Sequence, residues 1–114
     1  GHVMVASGGR ARTGAARLSA RAALRAGAGL VTVLSPSDAV AENAAQLTAV
    51  MLREANDETA FAEAARQARA LVIGPAFGTS DAHYKLLLAA LNTAERAPLV
   101  LDADAITLLA PMTH

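Results

Sequence analysis

Thr13-Gly-Ala-Ala-Arg-Leu-Ser-Ala-Arg-Ala-Ala-Leu-Arg-Ala-Gly-Ala-Gly-Leu-Val-Thr-Val33 decides the fold. From Gly14 to Ala26 it holds strong helix formers and no proline, so a helix is expected there. Gly27 suits the left-handed position that ends such a helix. Leu30 to Leu34 then reads as a buried strand. Just upstream, Val3 to Ala6 is a short apolar strand running into Ser7-Gly8-Gly9. Strand, glycine loop, helix and strand follow one another, which is the skeleton of an α/β domain that handles a nucleotide or cofactor.

Working outward, the same alternation continues. Ser35-Pro36-Ser37-Asp38 reads as a helix start, Ser at the cap and Pro at the first helical position, with a helix to about Ala45. Leu47 to Leu52 is a plausible strand, and the polar stretch Leu52 to Glu58 a loop. Asn56-Asp57 opens a helix through Arg69 with Phe61, Ala64, Ala65 and Ala68 on one side. Leu71 to Ile73 is a strand, Thr79-Ser80-Asp81 caps a helix to about Leu91, and Leu99 to Leu101 is a strand. Asp104 can cap a last helix from Ala105 to Leu109. Apolar strands separated by helices argue for a doubly wound, mainly parallel sheet with helices on both faces. In the first helix, Arg17, Arg21 and Arg25 share one face, and Ala15, Ser19, Ala22 and Ala26 are expected to meet the sheet.

Composition limits the partners. The 114 residues are one domain or part of one, and 54% of them are hydrophobic while only 3% are aromatic. The core is therefore built from Ala, Val, Leu and Ile. Ten basic and ten acidic residues cancel, so no long-range field favours nucleic acid or an anionic membrane. There is no cysteine, which excludes a disulfide framework and thiolate metal sites. No run of about 18 apolar residues predicts a membrane span. A cytoplasmic protein is the default expectation.

Three loops fall at the carboxyl ends of strands, where open parallel sheets bind ligands. In the first, Gly9-Arg-Ala-Arg-Thr-Gly14 has the glycine spacing of a phosphate loop, but Ala15-Ala16 replace its Lys-Ser/Thr, which rejects a Walker-type site. Thr13, Gly14 and Ala15 instead offer backbone N–H groups at a helix start; the alternative is a tight turn that needs only small residues. In the second, Gly74-Pro-Ala-Phe-Gly-Thr-Ser-Asp81, Gly78 permits close backbone approach or positive φ, or the loop is an ordinary connection. In the third, Asp102 and Asp104 could orient a cation or a ligand hydroxyl, or serve as a loop brace and a helix cap. His83 has no second ligand at metal spacing and reads as a surface or packing residue. Ser7, Ser19 and Ser35 have no nearby base. No residue set is read as a metal site.

The order of these motifs resembles the ADP- or ATP-dependent NAD(P)H-hydrate dehydratases, a branch of the ribokinase-like fold. The resemblance rests on Gly8-Gly9, Thr13-Gly-Ala-Ala, Ala22-Ala-Leu-Arg-Ala-Gly-Ala-Gly-Leu-Val-Thr-Val33, Val72-Ile-Gly-Pro-Ala-Phe-Gly78 and Val100-Leu-Asp-Ala-Asp-Ala105. It spans the chain in the family's order. The family usually reads Gly-Pro-Gly-Leu-Gly where this chain has Gly74-Pro-Ala-Phe-Gly78.

The resemblance implies repair of NADH or NADPH that has gained water at C6 of the nicotinamide ring. ADP or ATP, with Mg2+, phosphorylates that hydroxyl, and phosphate is then eliminated. It implies substrate contacts at Ala15 and Gly78, with Thr13, Gly14, Asp102 and Asp104 in support. The family's Thr-Pro-His segment and its glycine-rich loop with the catalytic Asp do not occur here. Residues 1–114 are accordingly expected to be the N-terminal part of a single ribokinase-like catalytic domain, incomplete and inactive alone, with the catalytic residues beyond residue 114. The partners expected are hydrated NAD(P)H and ADP/ATP, with a homo-oligomer for the full-length protein. Two other readings stay open: a vitamin or sugar kinase of the same fold, and a non-catalytic binding or assembly module.

Overall fold

A computed structural model describes residues 2–46, 50–74, 77–93, 98–101 and 104–109. Among the described residues five strands form one sheet: β1 (His2–Ala6), β2 (Leu30–Ser35), β3 (Met51–Glu54), β4 (Ala70–Ile73) and β5 (Leu99–Leu101). Their order is β3-β2-β1-β4-β5, and every pairing is parallel. The helices are α1 (Gly14–Arg25), α2 (Val40–Gln46), α3 (Glu58–Gln67), α4 (Asp81–Leu91) and α5 (Asp104–Leu109), with a 3-10 turn at Ser37–Ala39. The α/β doubly wound parallel sheet expected from the pattern is what forms.

The strands bury both faces, and side-chain alternation divides the core in two. Val5, Val31 and Val33 pack with Ala16 and Ala20 of α1 on one face. Met4, Ala6, Leu34, Leu71 and Ile73 pack with Phe61, Ala64 and Ala65 of α3 and Leu87 and Ala90 of α4 on the other. Alanine at the contact lets a helix backbone approach the sheet closely, which is how a core almost without aromatics stays dense. The stripe expected on α3 is the one buried.

The stripe expected on α1 is not. Ala16 and Ala20 meet the sheet, with Ala23 and Leu24 beside them, whereas Ala22 and Ala26 are exposed. The helix offers alanines on several faces, so composition could not choose among them; the start of the helix relative to β1 does. Its end is as expected. Ala28 N–H reaches the Ala23 carbonyl (3.1 Å) and Gly27 N–H the Leu24 carbonyl (3.2 Å). That is the Schellman pattern, with Gly27 at φ 104°.

Two further boundaries shift. Ser35 stays in β2, its hydroxyl donating to the Pro36 carbonyl (3.0 Å), and extended Pro36 precedes the 3-10 turn. The strand placed at Leu47–Leu52 is β3, Met51–Glu54, so its second half uses residues read as a loop. Residues 47–49 lie outside the described set. Arg53 is tolerated there because β3 is an edge strand, and it pairs with Glu63 (3.3 Å) and Gln67 (2.8 Å).

The strand order positions the site. The chain runs from β1 outward to β3 and then returns to β4 on the other side of β1. Where winding reverses, connections leave neighbouring strands on opposite faces, and a crevice opens beyond their carboxyl ends. Here that place lies between β1 and β4. No helix among the described residues is long and apolar enough to cross a membrane.

Candidate functional site

The loop from β1 to α1 is held by a carboxylate from α2. Arg12 N–H closes a turn on the Gly9 carbonyl (2.9 Å). Ala11 occupies the turn's third position at φ 64°, a conformation glycine prefers there. Ala11 N–H donates to Glu42 Oε1 at 2.8 Å. The Thr13 hydroxyl donates to Glu42 Oε2 and accepts from the Arg17 guanidinium. The Thr13 hydroxyl and then the Ala11 amide hold the Glu42 carboxyl below its ordinary range, with Arg17 and Arg10 adding to them against an opposing desolvation.

This arrangement has a consequence for α1. Thr13 is the residue before the helix, yet its side chain makes no capping bond to the first turn, and that turn carries no acidic residue. The hydroxyl is engaged by Glu42 and Arg17 instead. The first-turn amides at Gly14 and Ala15 therefore present donors and the positive end of the helix dipole without a side-chain cap.

The loop from β4 to α4 is built differently. Gly78 lies at φ 131°, and a Cβ there would stand 2.3 Å from Cε1 of His83. Gly78 N–H donates to Asp104 Oδ2 at 2.9 Å. Arg12 donates to the same oxygen at 3.3 Å, and Asp104 N–H reaches the Gly74 carbonyl at 3.3 Å. Asp104 thus ties the loops after β1 and β4 to the start of α5. It is the first residue of α5, and its carboxylate is spent on those loops rather than on a cap. His83 completes a capping box with Ser80 and packs edge-on against Phe77, centroids 5.1 Å apart.

Behind the first loop is a buried polar cluster. Asn43 of α2 donates to Ser7 Oγ (3.1 Å) and Ser35 Oγ (3.0 Å) at the ends of β1 and β2. Ser7 passes its own proton to the Gly8 carbonyl (2.8 Å). Asn43 is fully buried, and its Oδ1 has no partner among the described residues.

Of the residues singled out from sequence, Thr13, Gly14, Ala15, Gly78 and Asp104 stand at this one carboxyl edge. Ala15 and Gly78 follow adjacent strands. Asp102 lies outside the described residues, as do Pro75 and Ala76. Glu42, Asn43 and Arg12 were not singled out. Glu42 and Asn43 reach the loops across about 30 residues of sequence, for which spacing carries no signal. His83 was read as a surface or packing residue; its position three after Ser80 was the available clue to its cap. Among the described residues no three His, Cys, Asp or Glu side chains form a metal-binding group.

A family model described as NAD(P)H-hydrate dehydratase matches residues 3–113. The chain is 36% identical over 110 residues to the bifunctional NAD(P)H-hydrate repair enzyme Nnr of Escherichia coli (strain K12), covering 96% of this chain and 21% of that protein. It is 35% identical over 111 residues to the ADP-dependent (S)-NAD(P)H-hydrate dehydratase of Lactococcus lactis, covering 96% of this chain and 40% of that one. Among solved structures, a ribokinase-like superfamily protein from Enterococcus faecalis superposes with a TM-score of 0.85 at 26% identity, covering 100% of this chain and 40% of that one. The chain spans 21% to 40% of the length of these relatives.

Proposed function

The chain belongs to the NAD(P)H-hydrate dehydratase family, and from that premise we propose that it forms the substrate-holding portion of a cofactor-repair lyase. The substrate is NADH or NADPH carrying water on its nicotinamide ring. ADP or ATP is the phosphoryl donor: the ring hydroxyl loses its proton and takes the phosphoryl group, releasing AMP or ADP. Phosphate then leaves together with a proton from the neighbouring ring carbon, restoring the double bond. Residues 1–114 are the N-terminal part of one larger catalytic domain in this reading. A cytoplasmic site of action and a homo-oligomeric full-length protein belong to the same proposal.

The observation that carries it is the meeting of two loops at the β1–β4 boundary through one carboxylate oxygen, Asp104 Oδ2. That linkage keeps the uncapped start of α1 beside the glycine turn at Gly78. Gly14 and Ala15 carry little or no side chain, so a ligand can approach their backbone closely, while the space beside Gly78 is filled by the His83 ring. The amides of Gly14 and Ala15 suit the polar and anionic parts of a dinucleotide. Asp104 holds Gly78 in place and takes no part in the chemistry. The nucleotide donor and its Mg2+ are assigned to residues of the larger domain.

Ala15→Leu tests the reading. In the intact protein the larger side chain fills the space at the start of α1, and affinity for hydrated NADPH should fall by about tenfold or more, which is about 1.4 kcal/mol. Equal affinity in the variant, measured by calorimetry, removes Ala15 from the site.

A further inference from the structure

The outer face of α3 carries a charge pattern that is its own complement. Glu58, Ala62 and Arg66 stand four residues apart and form one ridge along the helix. Glu58 and Arg66 are exposed, and neither makes an ion pair or hydrogen bond with another described residue. Further round the helix, Glu63 and Gln67 are taken up by Arg53 of β3. Each of the two unpaired charges lies about 6 Å along the helix axis from Ala62, the acid toward the start of α3 and the base toward its end.

The neighbouring surface has low relief. Two hollows of about 570 and 360 Å³ lie between α3 and α4 and share Glu58 and Thr59. Together they make one trough along the outside of the helix layer, with Ala62, Ala82 and Ala89 among the residues that line it. Small side chains at such a surface let a second helix come close. Lys85 lines the trough at its acidic end and forms no ion pair with Glu58.

We propose that this face receives a second copy of the chain, docked two-fold and antiparallel with Ala62 beside the symmetry axis. A two-fold axis crossing α3 at Ala62 brings Glu58 opposite the partner's Arg66 and Arg66 opposite the partner's Glu58. A parallel arrangement would set like charges together, so the pattern fixes the direction of pairing. Exposed ion pairs add little affinity. They select the register, and burial of the alanine ridge and its trough supplies the attraction. The outer face of α1 makes the contrast, because antiparallel pairing about Arg21 would put Arg17 against the partner's Arg25, cation on cation. No acidic residue of α1 offsets that repulsion. The inference gives the homo-oligomer of the repair reading its surface, and it uses no residue assigned to the substrate.

Sedimentation of the intact protein tests it. Native protein should sediment as a dimer or an even multiple of one, and the α3 contact should loosen as salt rises. Glu58→Arg and Arg66→Glu each set like charges together on both sides of the axis, and each should raise the dissociation constant about tenfold or more. Mixed in equal amounts, the two variants should recover association, because opposite charges then face each other across the interface. That recovery cannot come from a folding defect in either variant. Native protein that stays monomeric overturns the interface. A single variant that associates as tightly as native protein, or a mixture no tighter than its parts, does the same. Hydrated NADPH titrated into these samples separates the two readings. A monomeric protein that binds it leaves the substrate reading standing without the interface, and a mixture that recovers association without binding it does the reverse.

Discussion

The two loops that meet at the site reach ordered geometry by opposite means. Between β1 and α1, an alanine sits in a left-handed turn position, Ala11 at φ 64°, and charged side chains hold it there from outside. Between β4 and α4, Gly78 at φ 131° satisfies the backbone without strain, and an aromatic ring closes down on the space its missing side chain leaves. The first loop is restrained by hydrogen bonds that depend on ionisation. The second is restrained chiefly by shape, with one hydrogen bond from Gly78 N–H to the Asp104 carboxylate added to it. Strain is tolerated where surrounding contacts over-determine the conformation, and the contrast predicts which substitutions each loop will accept.

The largest effect should come from Gly78→Ala. The new methyl meets the His83 ring at a distance real Cβ atoms do not show, and the backbone would carry a side chain at positive φ. Strain and overpacking together are expected to cost about 3 kcal/mol, read as a drop in the urea midpoint. A loss below about 0.5 kcal/mol would mean that shape does not restrain this loop. Asp104→Asn comes next, because it breaks the link between the loops. Gly78 loses a charged acceptor and Arg12 an ion pair, of which the exposed Arg12 contact contributes little. A loss of about 1–2 kcal/mol is expected, with faster hydrogen exchange at the Gly78 amide. Exchange that stays at the native rate would show that the carboxylate does not hold the turn.

What was legible in the sequence was local. Asp57 accepts from Ala60 N–H and Ser80 from His83 N–H, and both helix starts follow from residue types within three positions of each other. The ending of α1 at Gly27 and the buried stripe Phe61-Ala64-Ala65-Ala68 were equally readable. Three features were not, each because a distant contact decides it. Which alanines of α1 meet the sheet depends on the loop before the helix. The late start of β3 reflects an edge position that lets Arg53 and Glu54 lie in a strand. The restraint on the first loop comes from Glu42, 31 residues after Ala11. At the site, the small residues that could approach a ligand were readable, whereas the side chains that hold them were not.

Glu42 gives the comparison its pH dependence. Its carboxyl is held below the ordinary value chiefly by the Thr13 hydroxyl and then the Ala11 amide. A depressed native value means the unfolded state binds the proton more readily. The stabilisation is therefore complete above the unfolded carboxyl's range and is lost as pH falls through the lower native value. Urea midpoints of the native chain and of Glu42→Gln should differ most at neutral pH and converge toward acid. A gap that stays constant with pH would mean that the carboxylate's charge is not what restrains the loop. Gly78→Ala should show no such dependence on Glu42, whose hydrogen bonds go to Ala11 and Thr13 of the other loop.

Ala11→Gly should produce the smallest change and the opposite sign. Glycine removes the penalty of a left-handed alanine, about 1–2 kcal/mol, and restores unfolded-chain freedom of about 0.5–1 kcal/mol. The two partly cancel, so a net gain of about 0.5 kcal/mol is expected, visible as a small rise in urea midpoint. The bond from residue 11 N–H to Glu42 Oε1 survives the change, so the pH convergence with Glu42→Gln should persist in the double variant. If Ala11→Gly destabilises instead, the alanine methyl is making a contact worth more than the strain it carries. The first loop would then be held by packing as the second is, and the distinction between them would disappear.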